Sequence, residues 1–103
     1  MMNKGLIQNL PENSCVEVAC DISSKGVTPR VVPDLPVHLA ALMQININVQ
    51  QLTVEALITG EKDYVYHAAM MEPHTAAELN LSQIWSMVDE LIEAHNGWLP
   101  ALH

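Results

Sequence analysis

Five histidines, two cysteines and a cluster of carboxylates are the residues of this 103-residue chain whose chemistry could serve a reaction. His38, His67, His74, His95 and His103 are scattered singly, with no H-E-x-x-H and no E-x-x-H spacing that would set ligands on one helix face. Cys15 and Cys20 lie five apart on a predicted strand, an odd spacing that sends their side chains to opposite faces. They therefore share neither a metal nor a disulfide. Asp89, Glu90 and Glu93 resemble paired carboxylates for acid–base work, but they oppose an apolar stripe and read as a solvated helix face. No Ser or Cys sits at triad spacing beside a base, and the four glycines are isolated, so no phosphate loop forms. The chain is expected to supply no catalytic, cofactor-binding or metal-ligating residue of its own.

The elements that would position any site read as α+β. Residues 1–14 form a lead-in segment containing Gly5 and Pro11. From Cys15, Val16, Val18, Cys20 and Ile22 alternate with Glu17 and Asp21, the pattern of a half-buried strand. Ser23–Gly26 supplies a turn, and a second strand through Val27–Val32 completes a hairpin over residues 15–32, with Pro29 confining that strand to an edge or a bulge. A two-stranded hairpin is marginal in water and must lean on other elements.

About four helices follow within residues 34–99. The first is predicted over Val37–Thr59, with Asp34 as its N-cap and Gly60 as its stop. Leu42, Ile45, Val49, Leu52 and Ala56 form one apolar stripe along it; Ile47, Val54 and Ile58 form a second. Its other positions are mostly amides and its one formal charge inside the stripes' span is Glu55, so the helix reads as covered nearly all round. A chain this short has little to cover it with. Ile47, Val54 and Ile58 are therefore the candidate interface, and the expected partner is a second copy of the chain.

A helix over Glu61–Met71 and a short turn or helix over His74–Leu79 come next. The last helix has the clearest start. Asn80 and Gln83 stand at capping-box spacing, and Ile84, Met87, Val88, Leu91 and Ile92 make its buried stripe. Residues 1–103 are expected to form one domain.

Charge excludes several partners. The net charge is −8, with nine acids against the single base Lys62 in residues 31–103. Nucleic acid and anionic membrane surfaces are disfavoured by so few cations. No apolar run is long enough to span a bilayer or act as a signal peptide, so the expected location is the cytoplasm, with reduced cysteines.

Several segments, taken in order, resemble a known family. Asn9-Leu10-Pro11 followed by Val16-Glu17-Val18 is similar to a segment near the C-terminus of the family 4 glycoside hydrolases. Leu35-Pro36 with Leu39–Leu42, the run Gln50–Ala56, and Ile84–Leu91 continue the likeness over residues 5–99. The Trp85 helix, with Trp98-Leu99-Pro100 after it, resembles the α-galactosidase branch. The resemblance implies the last quarter of an NAD- and Mn-dependent glycosidase, within a substrate domain related in fold to lactate and malate dehydrogenases. In that family the dinucleotide loop, the metal ligands and the base lie upstream of this segment. The isolated chain is thus expected to be inactive, to bind neither NAD nor Mn, to meet a sugar only within a full-length enzyme, and to act structurally or by self-association. The alternative is a small acidic homo-oligomeric or partner-binding module with no glycosidase role.

Overall fold

The structure, a computed structural model, describes residues 1–103 and contains a hairpin followed by four helices. Strand β1 covers Cys20–Ser23 and pairs antiparallel with β2, Gly26–Pro29. Helices α1 (Val37–Thr59), α2 (Asp63–Met71), α3 (Pro73–Glu78) and α4 (Leu81–Ala94) complete the order. The chain divides into two compact units, Met1–Gln44 and Ile45–His103, and the division falls inside α1.

The first unit is organised by an amide rather than by a greasy core. Asn3 is fully buried. Its Oδ1 accepts from the Ile7 N–H at 2.7 Å, and its Nδ2 donates to the carbonyls of Ile7 (2.9 Å), Leu10 (2.9 Å) and Pro11 (3.1 Å). Its own N–H donates to the Ser14 carbonyl at 2.8 Å. Each buried main-chain group of the turn thus finds a partner, which burial requires. Ile7, Leu10 and Val16 are the apolar side chains buried in this unit. The lead-in segment is therefore a tied structure, and nothing in its side-chain pattern announces that. Asn9 adds a second tie, donating to the Leu35 carbonyl at 2.8 Å and accepting from the Leu35 N–H at 2.9 Å.

The ladder occupies only Cys20–Pro29 of the expected 15–32 hairpin. Upstream, Cys15 forms an isolated bridge with Met2, and the Val16 N–H donates to the Met1 carbonyl at 2.8 Å. Downstream, the Arg30 N–H reaches the Ala19 carbonyl, and Val32 bridges Ile7 in parallel. The alternation places Val16 inside, as expected, but Ile22 is 82% exposed. Period two tells which side chains share a face; it does not supply the layer that covers the face, and here the hairpin tip has none. Gly26, at φ +117°, closes the turn in a conformation that a residue with a Cβ rarely adopts.

Helix α1 has the bounds the sequence predicts, but Asp34 does not cap it. The N–H groups of Leu39 and Ala40 reach the carbonyl of Pro36, at 2.9 and 3.0 Å. Asp34 lies two residues outside that cap position and is exposed. The fixed φ of Pro36 sets the start in its place. Gly60, at φ +77°, ends the helix in the left-handed region expected of a C-terminal glycine.

In the second unit α2 packs against α4 and α3, and α1 makes no comparable contact with another element. Tyr66 and Ala68 are the buried residues of α2 and Ile84 and Val88 those of α4, with Ile47 and Ala56 the buried residues of α1. Both hydrogen bonds of the capping box are present: the Gln83 N–H donates to Asn80 Oδ1, and the Asn80 N–H donates to Gln83 Oε1, each at 3.0 Å. Leu91, expected in the buried stripe of α4, is 48% exposed. Glu72, between α2 and α3, is a cap. Its carboxylate accepts from the N–H groups of His74 and Thr75 and from the Thr75 hydroxyl, which starts α3 at Pro73.

Candidate functional site

The candidate interface residues part company in the structure. Ile47 is 6% exposed, whereas Val54 and Ile58 are 51% and 74% exposed. A buried Ile47 is spent on the fold of its own chain and is withdrawn from the candidate surface. Seven residues separate Ile47 from Val54, nearly two full turns, so the two lie on one side of the helix. Cover is therefore present at one level of α1 and absent two turns further on. Leu57, 60% exposed, takes its place: Val54, Leu57 and Ile58 stand at i, i+3 and i+4 and form one continuous apolar patch.

Thr53 and Leu57 of α1 also border an apolar pocket of about 180 Å³, walled by Val65 and Ala68 of α2 and by Leu99 and Leu102 of the tail. The tail is tied back to the end of α1. The His103 N–H donates to the Gly60 carbonyl, and the Lys62 N–H donates to the His103 carbonyl, both at 2.9 Å. Thr53 satisfies its hydroxyl within the helix by donating to the Val49 carbonyl at 2.8 Å, so it brings no unpaired donor to the pocket.

The charged groups of this unit gather elsewhere. Tyr66 of α2 stacks on Trp85 of α4 with ring centroids 4.2 Å apart and planes 12° from parallel. The Tyr66 hydroxyl donates to Asp89, and Lys62 Nζ donates to the same carboxylate at 3.0 Å while lying 5.1 Å from the Tyr66 ring centre. The Tyr66 hydrogen bond, followed by Lys62, holds the Asp89 carboxyl below its ordinary range; Tyr66, followed by Asp89, raises the Lys62 ammonium. Asp89 thus links two helices, unlike Glu90 and Glu93. This arrangement is structural: one carboxylate of α4 accepts from Tyr66 of α2 and from Lys62 just before it. A sequence reading misses it because the contact joins residues 23 apart on different helices.

The histidines stay dispersed, and no group of three His, Cys, Asp or Glu side chains is placed to hold a metal ion. Cys15 is exposed and Cys20 half-buried, and both are unpaired. No helix is long and apolar enough to cross a membrane.

A sequence profile of the family 4 glycosyl hydrolase C-terminal domain matches residues 1–75. The chain belongs to that family. It is 50% identical over 97% of its length to an α-galactosidase of Bacillus subtilis, and 34% identical over 95% to an α-galactosidase of Rhizobium meliloti. The chain spans 23% and 20% of those relatives. Among solved structures, a 6-phospho-α-glucosidase from gut microorganisms, in complex with NAD and glucose-6-phosphate, superposes on the whole chain with a TM-score of 0.87 at 27% identity. A second such enzyme, in complex with NAD and Mn²⁺, gives 0.88 at 20% identity and shares the fold; the chain matches 23% of each.

These family 4 neighbours confirm the α+β architecture of a hairpin and four helices as that of the enzymes' C-terminal region. NAD and Mn²⁺ do not fit the residues of this segment. Its glycines, at 5, 26, 60 and 97, make no glycine-rich turn at a helix start, and its metal-type side chains do not converge. No chemical step through either group follows from these residues.

Proposed function

We propose that this segment acts as the C-terminal domain of a family 4 glycosidase of the α-galactosidase type, supplying packing surface rather than reacting groups, and that copies of it associate through Val54, Leu57 and Ile58. The α-galactosidase assignment is supported by 50% identity to the Bacillus subtilis enzyme, against 33% to a probable 6-phospho-β-glucosidase of the same organism. The reading includes a cytoplasmic location, in which the two free cysteines would stay reduced.

The exposure of three neighbouring apolar side chains on α1, Val54 (51%), Leu57 (60%) and Ile58 (74%), supports the association. The patch on α1 offers apolar area with no formal charge among its residues, which matters when both partners carry −8.

Light scattering across a concentration series tests the association. The expected mass is a multiple of 11.4 kDa. Val54→Glu with Ile58→Glu, both exposed positions given a good helix former, is expected to return the mass to that of one chain with helical content unchanged. A well-folded monomer at every concentration, or an oligomer indifferent to the double substitution, overturns the proposed interface.

A further inference from the structure

We propose that Asn96 is a self-modifying residue of the folded chain, deamidating through its junction with Gly97. The chemistry needs three conditions together. The following residue must leave the asparagine side chain room to fold back, the following amide nitrogen must be free, and water must reach both. Gly97 has no side chain, adopts φ +85°, and has open space where a Cβ would project. The hydrogen bonds of the turn pass around it. The Asn96 N–H donates to the Glu93 carbonyl at 3.2 Å and the Trp98 N–H to the His95 carbonyl at 2.9 Å, leaving the Gly97 N–H and the Asn96 side chain unengaged. Asn96 is exposed, and it borders with Gly97 and Lys62 an open cleft of about 440 Å³.

The reaction balances with water alone. The Gly97 nitrogen gives up its proton and attacks Asn96 Cγ, a C–N bond forms, and ammonia leaves to give a cyclic imide. Water then opens the imide at one carbonyl or the other, yielding aspartate or isoaspartate.

The other asparagines lack this combination and serve as internal controls. Asn3 is buried with its side chain fully bonded, Asn9 is tied to Leu35, and Asn80 caps α4. Asn46 and Asn48 lie in α1 and precede branched residues. Asn13 precedes Ser14, whose N–H donates to the Pro11 carbonyl at 3.1 Å. The product would also matter locally. A carboxylate at position 96 lies just past the end of α4, at the negative end of the helix dipole and close to Glu93. The isoaspartyl form would lengthen the main chain between α4 and the tail that is anchored at Gly60.

Incubation of the whole, folded chain at mildly alkaline pH, followed by peptide mapping, tests this. The expected result is a gain of about one dalton confined to the peptide containing Asn96, with that peptide a substrate for an isoaspartyl methyltransferase. Asn96→Gln, which removes no hydrogen bond of the fold, is expected to abolish both signals. A chain unfolded in guanidinium supplies the reference. If Asn96 stays intact in the folded chain while the unfolded chain deamidates there, or if another asparagine reacts first, the proposal fails.

Discussion

In residues 1–44 the fully buried side chain is an amide, Asn3; in residues 45–103 it is an aliphatic, Ile84. Asn3 does its work by direction. It accepts from one main-chain donor and donates to three main-chain carbonyls of residues 7–11, of which Ile7 and Pro11 also accept from Leu10 and Ser14 while Leu10 has Asn3 as its partner. Ile84 does its work by volume, as the fully buried side chain of α4. The lesson is that a segment too short for an apolar core can be specified by one polar group, provided that every one of its bonds is made.

The largest effect is expected from breaking that amide. Asn3→Ala strands the Ile7 N–H and the Leu10 carbonyl, each at about 1–3 kcal/mol, so a loss of roughly 2–5 kcal/mol is expected in urea unfolding. Asn3→Asp sharpens the point. It keeps the acceptor for the Ile7 N–H at nearly the same shape, but turns the donor into a second acceptor facing three carbonyls. It is expected to be nearly as damaging as alanine. A loss under about 1 kcal/mol for Asn3→Ala would show that water reaches these groups and that the amide is not what organises the segment.

Ile84 is expected to follow in size. Ile84→Ala removes buried volume and leaves a cavity, for about 2–5 kcal/mol, while Ile84→Val costs about 1 kcal/mol. The graded response separates the two regions, because Asn3 has no conservative step between full bonding and failure. If the two isoleucine substitutions cost the same, packing by volume is not what Ile84 contributes.

These two residues also mark what could be read from the chain alone. The start of α4 is legible because Asn80 and Gln83 are side chains at a fixed spacing, and both bonds of the box form. The bounds of α1 are legible from Pro36 and Gly60, even though the cap assigned to Asp34 is not there. Asn3 is illegible because its partners are main-chain atoms, which every sequence has at every position. On α1 the apolar residues extend around the helix, so periodicity does not say which of them the chain itself covers. Val54 and Ile58 could be nominated from the sequence, but the burial of Ile47 and the exposure of Leu57 could not. The bond from Tyr66 to Asp89 depends on α2 meeting α4, a tertiary fact that no local pattern carries.

The smallest effect belongs to charge, and it differs in kind between the two regions. Asp89 is tied across two helices by Tyr66 and Lys62; Asp21 is tied to Arg30, which lies just beyond its partner strand on an exposed hairpin. Tyr66 above all, then Lys62, depresses Asp89, and Arg30 depresses Asp21. A carboxyl lowered on folding contributes stability that is present above its unfolded value, about 3.9, and lost as pH falls through the folded value. The stability of Asp89→Asn should therefore lie below that of the parent chain at neutral pH and converge with it in acid, where the parent's carboxyl is itself uncharged. Lys62, raised on folding, holds its share below its unfolded value of about 10.4 and gives it up as pH rises through the folded value, so the parent's advantage also narrows in alkali. Asp21→Asn is expected to shift the same way on the acid side but less, because losing a tie within a solvated hairpin frees nothing that is packed. Urea midpoints of the three chains from neutral pH into acid would decide it. A gap for Asp89→Asn that persists unchanged into strong acid would mean the residue acts through shape, and the contrast between the two carboxylates would then be one of packing alone.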